Sequence, residues 1–300
     1  MDVVIIYIII IKTIYKFKLY NKNNMPKKVK KNILSEKKTL IMGILNVTPD
    51  SFYDGGKFST IKNAISQAKK MIHEGADIID IGAFTSKPFS KEITILEEKK
   101  RLFPVLKELK KLFPNLTISV DTYRREIAEK SINIGASIIN DIYAGEYDSS
   151  MIDFIIKNNV TYIAMHMNGT PLNMQKKIKI NNFKSDLLKF FIHKSNTFKK
   201  AGFKKLIVDP GFGFGKSIEQ NFRMINLIDD LKKINKYVLV GLSRKSMIYK
   251  TLNTTPEESL NSTTILNTIC VLKGVNILRV HDVKEAKEII KMINLVKENN

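Results

Sequence analysis

The chain has 300 residues, 44% of them hydrophobic, enough to bury a sizeable core in one large domain or two small ones, which excludes a disordered class. The single cysteine, Cys270, excludes an intramolecular disulfide framework and cysteine-rich zinc sites, and fits a reducing cytoplasm. Lys and Arg number 50 against 29 Asp and Glu, and the net charge of +21 favours partners that carry negative charge. These lysines are spread over most helical segments, with neither zinc-finger spacing nor an RNA-binding aromatic signature beside them, so no specific nucleic-acid module is expected.

In chain order, Val3 to Ile11 is an apolar run far short of the roughly 20 residues that span a bilayer. Asp2 stands where a signal peptide carries positive charge, and no small-residue cleavage site follows, so no membrane span is expected. Residues 1–38 read as an amino-terminal extension, with Met25 an alternative start, and residues 39–300 as the folded domain. A peripheral membrane anchor is the other reading of the extension. Beyond it, short apolar runs rich in β-branched residues alternate with amphipathic stretches, which predicts strand and helix in turn. The candidate strands are Thr39 to Val47, Ala76 to Gly82, Leu116 to Thr122, Ser137 to Ile142, Thr161 to His166, Lys205 to Pro210, Tyr237 to Ser243 and Asn276 to His281. Between them lie helical stripes such as Ile61, Ile65, Ala68 and Ile72, with Lys62, Lys69 and Lys70 on the other face.

Strand runs that lack polar alternation are buried on both faces, as in parallel sheets covered by helices. Eight such units predict an α/β fold, a single-domain (β/α)8 TIM barrel. A doubly wound open sheet is the alternative, but its nucleotide-binding forms carry a glycine fingerprint after the first strand, where this chain has Asn46 to Asp50.

In such barrels the active site forms at the carboxyl ends of the strands. There stand Asn46, Asp121, Asn140 with Asp141, His166, Asp209, Ser243 to Lys245, and Arg279 with His281. Asp and Asn side chains offer acceptors and donors to a flat heterocycle bearing amino and lactam groups. Arg279, His281 and Lys245 suit anionic oxygens. The run from Gly211 to Ser217 imitates a phosphate-binding loop, but Pro210 occupies the position of the required first glycine. The connections Thr48 to Ser59 and Ala83 to Lys91 read as lids over the mouth. His73 and His193 fall on helical stretches as surface or packing residues, Cys270 reads as core packing, and His166 as structural support rather than a proton shuttle.

Met42 to Gly56 (MGILNVTPDSFYDGG) resembles the first signature of the dihydropteroate synthase family. Ser119 to Thr122 (SVDT), Ile139 to Ile142 (INDI), Met165 to Met167 (MHM), Asp209 to Lys216 (DPGFGFGK), Ser243 to Ser246 (SRKS) and Arg279 to Asp282 (RVHD) resemble its later ones, in order. The resemblance covers residues 39 to about 299. It implies a barrel enzyme that joins 4-aminobenzoate to the methylene carbon of a dihydropterin methyl diphosphate and releases diphosphate in folate biosynthesis, with magnesium bound.

Residue by residue, the resemblance implies that Asn46 is the magnesium ligand and that Arg279, Val280 and His281 bind the substrate, Arg279 and His281 clamping the diphosphate. It implies that Asp121, Asn140, Asp209 and Lys245 contact the pterin, and that Asp54 stabilises a pterin methylene cation. Phe52, Ser86, Pro88, Phe214 and Ser246 are implied to build the aminobenzoate pocket, a sulfonamide target. A homodimer is implied as well.

The second lid departs from the family pattern. Thr85 to Phe89 (TSKPF) stands for the usual STRPG, so Lys87 keeps the charge of Arg without its planar fork, and Phe89 restricts the backbone where glycine is usual. Ala83 and Phe84 replace the commoner Gly-Glu, and Arg125 stands where a proline often follows the third-strand motif. Two other readings stay open: a pterin-binding barrel that passes a methyl group from methyltetrahydrofolate to a corrinoid, and a non-catalytic basic protein that binds nucleic acid.

Overall fold

The computed structural model describes residues 34, 38–48, 56–84, 92–174 and 182–299, with side chains from 61 onward in the first helix. Among these described residues, eight parallel strands alternate with helices. β1 (Leu40–Asn46) leads to α1 (Gly56–Glu74), β2 (Ile78–Gly82) to α2 (Ile95–Leu112), β3 (Thr117–Asp121) to α3 (Arg125–Ile134), and β4 (Ile138–Asp141) to α4 (Met151–Asn158). β5 (Thr161–Met165) leads to α5 (Phe183–Lys200), and β6 (Leu206–Asp209) to the pair α6 (Ile218–Asn226) and α7 (Ile228–Ile234). β7 (Leu239–Val240) precedes α8 (Ser246–Tyr249) and α9 (Leu260–Leu272), and β8 (Ile277–Val280) precedes α10 (Val283–Glu298).

Strand order β6-β5-β4-β3-β2-β1-β8-β7 leaves β6 and β7 as neighbours across a seam, and a parallel bridge between Val208 and Val238 joins them. The ring is thereby closed, the (β/α)8 barrel of the expectation, and the open sheet is excluded. Every strand lies within the run predicted for it. β7 is the one much shorter than expected, and asparagine side chains bond its backbone at its beginning. Asn276 Oδ1 accepts from Val238 N at 2.9 Å, and Asn235 Nδ2 donates to Leu206 O at 3.0 Å and Tyr237 O at 2.8 Å.

Successive strand residues point to opposite faces. Ile41, Leu45, Ile79, Ile81, Ile118, Val120, Ile139, Val208, Leu278 and Val280 join the helices in one apolar layer outside the barrel. Gly43 belongs to that row, and a Cβ there would come within 2.8 Å of Met71 Sδ and 3.3 Å of Val283, so its lack of a side chain lets α1 and α10 close on β1. The alternate residues Asn46, Asp80, Ser119, Asp121, Asn140, Asp209 and Arg279 therefore face inward. Burying apolar surface at ~25 cal/mol per Å² drives the outer layer, whereas the polar inner residues need partners of their own.

One buried ion pair fastens the mouth to the wall. Glu98 of α2 is fully buried; Thr122 Oγ1 donates to its Oε1 at 2.7 Å and Arg124 Nη1 to its Oε2. Arg124 also donates to Glu92 Oε1 and Ile93 O, both at 2.7 Å, and Tyr123 and Tyr147 donate to the same Glu92 oxygen at 2.9 and 2.7 Å. Burial raises the Glu98 carboxyl above its ordinary range despite Arg124. Arg124→Met strands that carboxyl in the interior and is expected to cost roughly 3–5 kcal/mol, read from urea unfolding. A loss under about 1 kcal/mol would show that water already compensates Glu98.

Candidate active site

The register assembles the site. Asn46, Gly82, Asp121 and Asn140 are successive partners across β1 to β4, so their positions form one row around the inside of the mouth. At Gly82 a Cβ would lie 3.4 Å from Asp121 Cβ and 3.8 Å from Asn46 Oδ1, so the absent side chain leaves space between those two groups.

From β8, Arg279 reaches across the interior. Its Nη2 donates to Asp121 Oδ2 at 3.0 Å and its Nε to Asp80 Oδ2 at 2.7 Å, while Asn140 Nδ2 donates to the same Asp80 oxygen at 3.0 Å. Burial holds the Asp121 carboxyl well above its usual range; Arg279 opposes that shift and the charge of Asp80 adds to it. The second oxygens, Asp80 Oδ1 and Asp121 Oδ1, are buried with no hydrogen-bond partner among the described residues.

Asp209 enters from β6, its Oδ1 accepting from Gly211 N at 2.8 Å. Burial raises it, and the nearby cations Lys245, Arg279 and Lys216 pull it back. Lys245 donates to Phe212 O and lies 4.3 Å from the centre of the Phe214 ring; burial lowers its pKa and Asp209 opposes. Gly211 adopts a left-handed φ of +69°, and a Cβ there would stand 2.1 Å from His166 O, so the turn admits glycine alone. Lys216 is buried and donates to His166 O, Gly211 O and Phe214 O at 3.0, 2.9 and 2.9 Å. Its ammonium thus ties down its own loop, unlike the lysine of a phosphate-binding loop, and Ser217 with Gln220 closes the start of α6 as a capping box.

At the rim, Arg244 grips Asp282 with Nε and Nη2, both at 2.9 Å, and donates through Nη1 to Pro256 O at 3.1 Å and Glu257 O at 2.8 Å. That fork joins the loop after β7 to the loop after β8, where His281 N donates to Ser243 Oγ at 3.3 Å and Lys245 lies close enough to act on the imidazole. Burial at its base and the cations Arg279, Arg244 and Lys245 lower the His281 pKa, and solvent at this exposed ring tempers the burial part.

The structure thus gathers Asn46, Asp121, Asn140, Asp209, Lys245, Arg279 and His281 at one end of the barrel, with Phe214 over Lys245 and Ser246 opening α8. Val280 is 1% exposed, and strand alternation turns its side chain into the outer core rather than the mouth. For the same reason Asp141 and His166 turn outward. Asp141 accepts from Tyr143 N and Gly145 N at 2.8 Å each and from Tyr162 O–H at 2.6 Å. His166 packs edge-on against Phe190 of α5, 4.9 Å between ring centres. Phe52, Asp54, Ser86 and Pro88 lie outside the described residues, as do most of both lids and residues 1–33. Asp80 is the site residue that strand ends did not mark. Its signal was a lone carboxylate inside the apolar run Ile78 to Ile81.

Among the described residues no three His, Cys, Asp or Glu side chains could hold a metal ion together. Asn46 offers a single hard oxygen beside the gap at Gly82. This fits magnesium, which keeps much of its water and is bound largely through substrate phosphates, and does not fit an all-protein metal cage.

Carboxylates and cations interleaved at the carboxyl end of a parallel barrel define an enzyme site for a polar ring that carries an anionic group. The family described as "Pterin binding enzyme" matches residues 42–281. Dihydropteroate synthase of Escherichia coli (strain K12) is 37% identical over 255 residues, spanning 84% of this chain and 90% of that one. A crystal structure of Yersinia pestis dihydropteroate synthase with a sulfonamide drug complex is similar at TM-score 0.80 and 35% identity, covering 87% of this chain and 95% of that one. Dihydropteroate synthase from Xanthomonas albilineans in complex with 7,8-dihydropteroate gives TM-score 0.77 at 30% identity, with 87% and 94% covered. The chain belongs to the dihydropteroate synthase family of pterin-binding enzymes.

The cationic rim makes His281 a reporter. Its imidazole is expected to titrate below the usual ~6.5 in the free protein, and inorganic pyrophosphate is expected to raise that midpoint by placing negative charge beside it. An NMR titration with the same midpoint in the presence and absence of pyrophosphate would separate His281 from anion binding.

Proposed function

We propose that this protein condenses 4-aminobenzoate with (7,8-dihydropterin-6-yl)methyl diphosphate to give 7,8-dihydropteroate and diphosphate. The observation that carries this reading is the pair of inward acceptors beside a buried cation: Asp121 Oδ1, buried and unpartnered, and Asp209, both near Arg279 and Lys245. A pterin presents N–H donors along one edge, and a ring that brings those donors into this interior satisfies such oxygens. Asp121, Asn140, Asp209 and Lys245 hold the ring, while Arg279, held inside the mouth by Asp80 and Asp121, and His281 at the rim face the diphosphate. The comparisons favour this activity over methyl transfer to a corrinoid, since the relatives are named dihydropteroate synthases.

The step begins as the methylene carbon–oxygen bond breaks and the diphosphate leaves with the electron pair. Arg279 stays charged and, with His281, stabilises the negative charge that develops on the departing oxygens. The methylene cation left on the pterin is stabilised by a carboxylate, assigned to Asp54. The amine nitrogen of 4-aminobenzoate forms the new carbon–nitrogen bond and then loses a proton. An amine attacking such a cation needs little general-base help, so no nucleophile–base dyad is required. Asn46 would hold magnesium, which would supply further neutralisation of the leaving group. Phe52, Ser86, Pro88, Phe214 and Ser246 are assigned to the aminobenzoate pocket on the family resemblance.

Residues 39–300 are assigned to this activity and residues 1–38 to an extension. We assign the protein to the cytoplasm, supported by the free, buried Cys270 and by the lack, among the described residues, of a helix long and apolar enough to cross a membrane. A homodimer is supported by apolar side chains left exposed on the packed helices α9 and α10: Ile265, Leu272, Met292 and Val296 are 52–62% exposed.

The test is a coupled assay of purified protein with the pterin diphosphate, 4-aminobenzoate and magnesium. Dihydropteroate is expected, chelation of magnesium is expected to stop its formation, and readdition to restore it. Asp121→Ala is expected to lower turnover at least ~100-fold with folding intact, because a buried pterin donor loses its acceptor. Unchanged steady-state rates would remove Asp121 from the site. A sulfonamide is expected to raise the KM for 4-aminobenzoate without changing kcat; purely noncompetitive inhibition would place it elsewhere.

A further inference from the structure

Asp80 is fully buried at the centre of β2, between Ile79 and Ile81, whose side chains belong to the outer core. A carboxylate at such a place is costly unless its oxygens are engaged. One of them is: Asp80 Oδ2 receives both Arg279 Nε and Asn140 Nδ2, at 2.7 and 3.0 Å. Each contact has a consequence at the mouth. Arg279 has its guanidinium plane fixed by two carboxylates at once, Asp80 at Nε and Asp121 at Nη2, so it cannot rotate freely toward solvent. Asn140 has its amide orientation fixed as well. A carboxylate paired with arginine only accepts, so Asn140 must turn its NH2 inward and present its carbonyl oxygen away from Asp80.

We propose that Asp80 is a positioning residue for the transfer, holding the Arg279 guanidinium and the Asn140 amide in the orientations that receive the pterin diphosphate. It acts through those two side chains. The proposal rests on the reading of the site given above and extends it to a residue behind the substrate-facing layer. Electrostatics supports it independently: the negative charge of Asp80 is among the influences that keep Asp121 protonated to higher pH, after burial itself and against Arg279.

The experiment compares wild type with Asp80→Asn, which keeps size and one acceptor but loses the charge and brings a competing donor toward Asn140. The expected result is a folded protein, with an unfolding midpoint near that of wild type, whose kcat/KM for the pterin diphosphate falls roughly 100-fold, as displacement by about 1 Å at a reacting centre can do. The KM for 4-aminobenzoate is expected to stay within about twofold, because its assigned pocket lies elsewhere. The pH profile supplies the readout that a purely structural role does not move. Removing the Asp80 charge makes Asp121 easier to ionise, so the limb of kcat/KM that reports Asp121 is expected to shift to lower pH.

A folded Asp80→Asn with unchanged kcat/KM and an unshifted profile overturns the proposal, as does an equal loss on both substrates with no shift. Asp80→Ser is the second variant if Asp80→Asn does not fold. Failure of both to fold assigns Asp80 to the architecture alone and equally overturns the proposal. Should wild type itself make no dihydropteroate, the reading of the whole site fails before Asp80 is reached, so the two failures are distinguishable.

Discussion

Everything at the mouth is arranged around one guanidinium that bridges two carboxylates in the barrel interior. Asp80 and Asp121 come from adjacent strands, and Arg279 arrives from β8, two strands further round the ring. Charges taken out of water are tolerated only when paired, and removing one partner leaves the others uncompensated. Asp80, Asp121 and Asp209 share this interior with the cations Arg279 and Lys245, and burial keeps Asp121 protonated to higher pH. The near-neutral sum lets each group be buried, and the unsatisfied acceptor capacity at Asp80 and Asp121 marks where the pairing is incomplete. An enzyme that binds an anionic, hydrogen-bonding ring benefits from such a surface, fixed in advance and short of donors.

Much of this was legible in the sequence because two simple rules applied together. Apolar strand runs without alternation implied parallel strands between layers, and the barrel rule sent attention to strand ends, which pointed to Asp121, Asn140, Asp209, Lys245 and Arg279. What the rules missed follows from geometry at the scale of one residue. Asp80 lies two residues before its strand end, where an apolar run hides it. Asp141 and Val280 each adjoin an inward residue and therefore point outward, a consequence of the two-residue period that strand-end position alone does not register. Had the inward row been counted from Ile79 and Ile81, Asp80 would have stood out.

The glycine-rich run after β6 shows the opposite lesson. Its composition imitates a phosphate cradle, and its chemistry is reversed: Lys216 faces two carbonyl oxygens of its own loop and that of His166 after β5, so the positive charge stabilises backbone bends instead of meeting a ligand. Only the identity of Pro210 distinguished the two in the sequence. With its ammonium held this way, the loop presents Asp209 and Phe214 as a stiff shelf beside Lys245.

The short seventh strand carries a separate consequence. Where β6 meets β7, a single bridge and the side chain of Asn235, donating to Leu206 O and Tyr237 O, stand in for a full backbone ladder. Backbone amides along that stretch are guarded by fewer cooperative bonds than those of the β1 to β4 arc, so slow solvent exchange should proceed there through small, local openings while the opposite arc exchanges only on global unfolding. The barrel is thus uneven around its circumference, stiffest under the bridged carboxylates and most yielding beside Lys245.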